Sequence, residues 1–139
     1  MESNKIELVI YDLSKGKLRC LSRLIWTKKK VKGMFHVSLR IYGNEYYFEM
    51  NGRVITTPEI YMKSTNLKPY DIIYVGMTNI GKDDFEDLFK TIIINETYNI
   101  FSNNCIHFTD KIIKEILKIK YSLPEYIIKN PQSIRNLLL

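Results

Sequence analysis

Apolar and polar positions alternate from Ile6 to Tyr11, among β-branched and aromatic types, and this predicts a strand that ends at Asp12. Ser14 then offers an N-cap, and Leu18, Leu21, Leu24 and Ile25 recur at helical spacing, which predicts a short amphipathic helix containing Cys20. The alternation returns over His36 to Ile41. Tyr42-Gly43-Asn44-Glu45 places Gly-Asn at the centre of a tight turn, and Glu45 to Phe48 closes a hairpin. Further strands are expected at Arg53 to Thr56, before Pro58, and at Asp71 to Val75, closed by Gly76. In the C-terminal half the period changes to that of helices. Asp83, Asp84 and Glu86 suit the positive end of a helix dipole, ahead of an apolar stripe of Phe85, Leu88, Phe89, Ile92 and Ile93. A second helix starts near Asn103-Asn104-Cys105, carries Cys105, Phe108, Ile112, Ile113, Ile116 and Leu117 on one face, and ends by Leu123-Pro124. The pattern is that of an α+β domain, a mainly antiparallel sheet packed against helices.

Composition narrows the class. At 139 residues, with 45% hydrophobic and 26% charged residues, the chain suits one globular domain, its core over about residues 5–128 and a C-terminal tail at 129–139. There is no internal repeat, linker or low-complexity stretch. Met1 to Lys5 lacks the pattern of a signal peptide and no run approaches the roughly 20 apolar residues of a membrane span, so a soluble protein with no membrane partner is expected, cytoplasmic and with the nucleus as a second compartment. The net charge of +6 includes a cluster at Lys28, Lys29, Lys30 and Lys32. Such a run fits a nucleic-acid contact, but a short lysine run in a lysine-rich chain is better read as a solvated loop, so nucleic acid is not the expected partner.

Two cysteines and two histidines hold the candidate chemistry. Their spacing makes neither a disulfide framework nor a zinc site, so no metal and no cofactor is called for. Cys105, behind two asparagines that can cap a helix, is expected where free amides and the helix dipole favour a thiolate, which lowers a thiol's pKa and activates it as a nucleophile. The same amides can receive an oxyanion, and Asn103 and Asn104 are candidates to donate to it or to orient an imidazole, although capping explains them equally well. His107 lies two positions from Cys105 and on another helix face, whereas His36 opens a strand that can face the helix start. The bland alternative is that Cys105 is a small buried hydrophobe and His36 a satisfied core residue. Cys20, within an apolar helical pattern and away from any histidine, reads as structural.

The local sequences resemble those of the PPPDE family, permuted papain-fold peptidases that include the desumoylating isopeptidases. Val9-Ile10-Tyr11-Asp12-Leu13-Ser14-Lys15-Gly16, Phe35-His36-Val37-Ser38, Ile41 to Phe48, Gly76-Met77-Thr78, Tyr98-Asn99-Ile100, Asn103 to Thr109 and Leu123-Pro124-Glu125-Tyr126-Ile127 carry the resemblance in order along almost the whole chain. It implies a circularly permuted papain-like fold with histidine before cysteine, and it places that pair on His36 and Cys105. The implied activity is thiol-dependent hydrolysis of the isopeptide bond between a ubiquitin-like modifier, SUMO or ubiquitin, and a lysine. It also implies a homodimer with the groove near the subunit interface. Phe35, Tyr46 and Phe48 are candidates to line that groove. This chain departs from the family at Phe35, where tryptophan is usual, at Ile106, where asparagine commonly follows the cysteine, and at Glu49-Met50-Asn51-Gly52, where a glycine-rich turn is usual. The last bears on the substrate channel, since a narrow groove admits a Gly-Gly tail only where little side chain intrudes. The same thiol-imidazole pair would serve a thioesterase that removes S-acyl groups, and an inactive domain that binds modified proteins is the reading from another class.

Overall fold

The computed structural model describes residues 3–15, 35–49, 52–92 and 104–128. The alternating segments become β1 (Asn4–Asp12), β2 (Phe35–Ile41), β3 (Asn44–Glu49), β4 (Gly52–Thr56) and β5 (Pro69–Thr78), which form an antiparallel sheet in the order β4-β3-β2-β1-β5. Among the described residues the longer helices are α1 (Pro58–Thr65), α2 (Lys82–Thr91) and α3 (Asn104–Lys111), the last running on into a π-helical turn, Ile112–Ile116, and a single helical turn follows at 125–128. The α+β class with a mainly antiparallel sheet is therefore as expected.

Alternation divides the sheet into two covered faces. Leu8, Ile10, Val37, Leu39 and Tyr46 share a core with Phe85 and Phe89 of α2 and with Phe108 of α3. Val9, Tyr11 and Tyr47 point the other way and form a smaller core with Tyr61 of α1 and with Leu67. Being covered on both sides, β1 is an almost unbroken apolar run from Leu8 to Tyr11.

Several expected boundaries move. The hairpin turns on Tyr42-Gly43, not Gly43-Asn44: both have positive φ (55° and 76°), Ile41 pairs with Asn44, and Asn44 already belongs to β3. A two-residue loop of this kind needs left-handed backbone at both central positions, and the strand twist selects it. Tyr42 is held there by tertiary contacts, its hydroxyl donating to the Ile80 carbonyl and its ring packing 5.7 Å from Phe85. Gly76 does not close β5, which continues to Thr78. The pairing with β1 shifts between Ile6, opposite Gly76, and Glu7, opposite Tyr74, so a bulge absorbs the irregularity. Leu88, expected in the buried stripe of α2, is 47% exposed. Phe85 and Phe89 are buried, Ile92 is partly buried against the core, and Ile93 lies outside the described residues. The apolar stripe of α3 is buried throughout from Cys105 to Leu117, but the helix ends well before Pro124: the Leu117 amide donates to Ile112, five residues back, and Lys118 has φ 54°. The helix expected around Cys20, the lysine cluster and the tail at 129–139 lie outside the described residues. At its near edge, Ser14 bonds the Asp12 carboxylate through both amide and hydroxyl.

Candidate active site

The start of α3 and the first half of β2 make the site. Strand β2 pairs with β3 only from Leu39 to Ile41, which leaves Phe35 to Ser38 paired with β1 alone. Helix α3 packs against β2 and β3, and Cys105, its second residue, is buried among the residues of the larger core. Burial pushes the Cys105 thiol upward, against the pull of the backbone amides of Val37, Ile106 and Cys105 itself. The helix N-terminus does direct amides at the sulfur, as expected, but the loss of water around it weighs the other way and favours the thiol.

His36 is the second residue of β2 and is 5% exposed, its ring on the face opposite the larger core. It stacks on Tyr61 at 5.3 Å with an interplanar angle of 18°, and it meets Tyr47 edge-on at 4.5 Å. Its Nε2 is buried without a hydrogen-bond partner among the described residues. Burial lowers its pKa from 6.5 to about 4, so the ring is neutral at neutral pH and able to accept a proton.

Cys105 belongs to the larger core and His36 to the rings of the other face, and the link between them is Val37, the neighbour of His36 in β2, whose amide reaches the thiol. His107 is exposed on α3, away from this pocket of rings. Of the expected orienting residues, Asn103 lies outside the described residues, and Asn104 is the first residue of α3, with its backbone alone described. The aromatic groove candidates are core residues in this structure. Phe35 packs on Tyr70 and Tyr126, Phe48 packs on Phe108, and Tyr46 lies between Phe85 and Phe89 with its hydroxyl donating to Glu86 at 2.9 Å. They share a face with the helices because residues i and i+2 of a strand point the same way.

Sequence reasoning missed α1 and its Tyr61. The signal was there in Thr57-Pro58: the Thr57 hydroxyl accepts from the Ile60 amide as N-cap, and proline occupies the first turn. It missed as well a buried polar cluster beside the site. Glu45, fully buried, accepts from Tyr11 at 2.8 and 2.9 Å, from Ser38 at 2.5 Å and from Arg40 at 3.1 Å. Residues 4–137 match the family described as "PPPDE putative peptidase domain". The chain belongs to the PPPDE peptidase family. It is accordingly a cysteine peptidase of the isopeptidase type. Among similar proteins, desumoylating isopeptidase 1 of Rattus norvegicus is 30% identical over 134 residues, spanning 93% of this chain and 76% of the rat protein. Those of Homo sapiens and Xenopus laevis are 29% and 23% identical, again over 93% of this chain and 76% and 75% of theirs.

Proposed function

We propose that this PPPDE peptidase cleaves the isopeptide bond between SUMO and a substrate lysine, with Cys105 as nucleophile and His36 as its base. The observation that supports the pairing is that the amide of Val37, the residue after His36 in β2, reaches the Cys105 thiol. The choice of SUMO rests on the relatives, all named desumoylating isopeptidases.

Both groups are neutral at rest, so thiol deprotonation accompanies attack. The Cys105 sulfur bonds to the carbonyl carbon of the modifier's terminal glycine as the thiol proton passes to His36. Amides at the start of α3 receive the resulting oxyanion. Collapse breaks the carbon–nitrogen bond, and His36 returns the proton to the departing lysine amine. Water then adds to the thioester with His36 as base, which restores the thiol and releases the modifier's carboxylate.

Intact mass after incubation with electrophilic C-terminal probes of SUMO and ubiquitin and with an acyl-thioester probe tests this. The expected result is one SUMO adduct, absent in Cys105→Ala and formed at least about 100-fold more slowly in His36→Ala, as befits loss of a general base. A ubiquitin adduct alone would replace the modifier, labelling by the acyl probe alone would make the protein a thioesterase, and no adduct from folded protein would leave a binding domain.

A further inference from the structure

Papain-like logic calls for a third group that holds the imidazole in its working orientation, yet the buried Nε2 of His36 has no hydrogen-bond partner among the described residues. Rings surround it instead. Tyr61 stacks on one side, Tyr47 presents its edge at 4.5 Å, and Tyr11 lies at 6.2 Å. Tyr61 also packs on the other two, at 4.5 Å from Tyr11 and 5.5 Å from Tyr47, so the rings form one box and not three separate contacts. They come from three elements, β1, β3 and α1, so the box exists only once the sheet and α1 have docked. One wall is pinned: the Tyr11 hydroxyl donates to both carboxylate oxygens of Glu45, which Arg40 and Ser38 hold in turn.

We propose that Tyr11, Tyr47 and Tyr61 are positioning residues that fix the plane of the His36 ring and limit the water around it. The proposal deepens the reading of His36 as the base for Cys105 and rests on it for its catalytic meaning. Stacked and edge-on rings restrict rotation of the imidazole without occupying its buried Nε2. Exclusion of water disfavours the imidazolium, and the ring remains a proton acceptor well below neutrality. The groups facing it are the phenols of Tyr11 on β1, Tyr47 on β3 and Tyr61 on α1, all pushed upward by burial and so uncharged, with Glu45 behind Tyr11. Tyr61 is the wall to test, because it stacks on His36 and is the one buried residue of α1.

With only two histidines in the chain, proton NMR resolves His36 from the exposed His107. Titration is run in a Cys105→Ala background with Tyr61 unchanged, Tyr61→Phe, Tyr61→Leu and Tyr61→Ala, and amide spectra report folding. His36 is expected to stay neutral below pH 5 in the parent and in Tyr61→Phe, which both keep an aromatic ring at that position. In Tyr61→Ala its midpoint moves up by about one to two pH units as water enters, with Tyr61→Leu between them. With Cys105 present, the rate of SUMO-probe labelling should fall by up to about four-fold at pH 5.5 in Tyr61→Ala and little at pH 7.5, while Tyr61→Phe restores it. An ordinary His36 midpoint in the parent, or one unmoved in both folded Leu and Ala variants, would overturn the box. Should Tyr61→Ala unfold, Tyr61→Leu decides. The NMR result stands whether or not any probe labels Cys105, so failure of the box and failure of the dyad are told apart.

Discussion

Glu45 is the residue on which the smaller core turns. A fully buried carboxylate is costly unless its oxygens are filled, and here Tyr11, Ser38 and Arg40 fill them. Its place follows from strand pairing, since Glu45 stands opposite Arg40 and both point to the face of Tyr47 and His36. Removing the carboxylate strands a phenol, a hydroxyl and a guanidinium whose Nε already lacks a partner among the described residues. Glu45→Ala is therefore expected to lower the unfolding free energy by about 3–5 kcal/mol, and Tyr11→Phe, which removes hydrogen bonds to a charged acceptor, by about 1.5–3 kcal/mol. Urea unfolding at neutral pH measures both. Equal and small losses would mean that the cluster is a surface feature and not a buried anchor.

Helix α2 shows what an amphipathic pattern does and does not contain. Its first turn is acidic, with Asp83 and Asp84 at the positive end of the dipole, and its buried face is narrower than the spacing of apolar residues implies. Phe85 and Phe89 lie 6.2 Å apart in a stack beneath Tyr46, while Leu88 turns to the outside. Phe89→Ala should cost about 3–5 kcal/mol and Leu88→Ala less than about 0.5 kcal/mol, a contrast that thermal or urea melts would read directly. Comparable costs for the two would mean that Leu88 is packed. Helix α1 shows the opposite case. Its hydrophobic residues, Ile60, Tyr61 and Met62, are consecutive and only Tyr61 is buried, so periodicity gave no sign of it, and its start was legible only through the Thr57 cap and Pro58.

For the whole molecule, the sheet separates two cores of different character. One is apolar and lies under α2 and α3; the other holds tyrosines, Glu45 and His36. This second core makes stability depend on pH. In the unfolded chain His36 takes up a proton near pH 6.5, whereas in the folded protein it does not until about pH 4. Between these values the unfolded state binds more protons, so stability rises with pH across the window. The contribution of the neutral ring is complete above pH 6.5 and is lost as pH falls to about 4, a change of about 3 kcal/mol. Urea unfolding from pH 4 to pH 8 should show that loss in the wild type on top of whatever slope His36→Gln retains. Parallel curves for the two proteins would place His36 in contact with water.

By itself the chain determined what local chemistry decides. Alternation placed β1 to β4 within a residue or two, dipole-matched acids and apolar spacing placed α2 and α3, and the order of motifs from Tyr11 through His36 to Cys105 was enough to reach the family. Tertiary structure decided the rest. Which of two adjacent residues turns the hairpin depended on strand twist and on the Tyr42 hydroxyl reaching Ile80. Which aromatic residues surround His36, and which serve as core, depended on the sheet face each occupies, so Tyr47 and Tyr61 border the imidazole while Tyr46 and Phe48 do not. The protonation of Cys105 depended on burial, which no helix start reveals, because desolvation is a property of everything packed around the sulfur and not of the residues beside it in the chain.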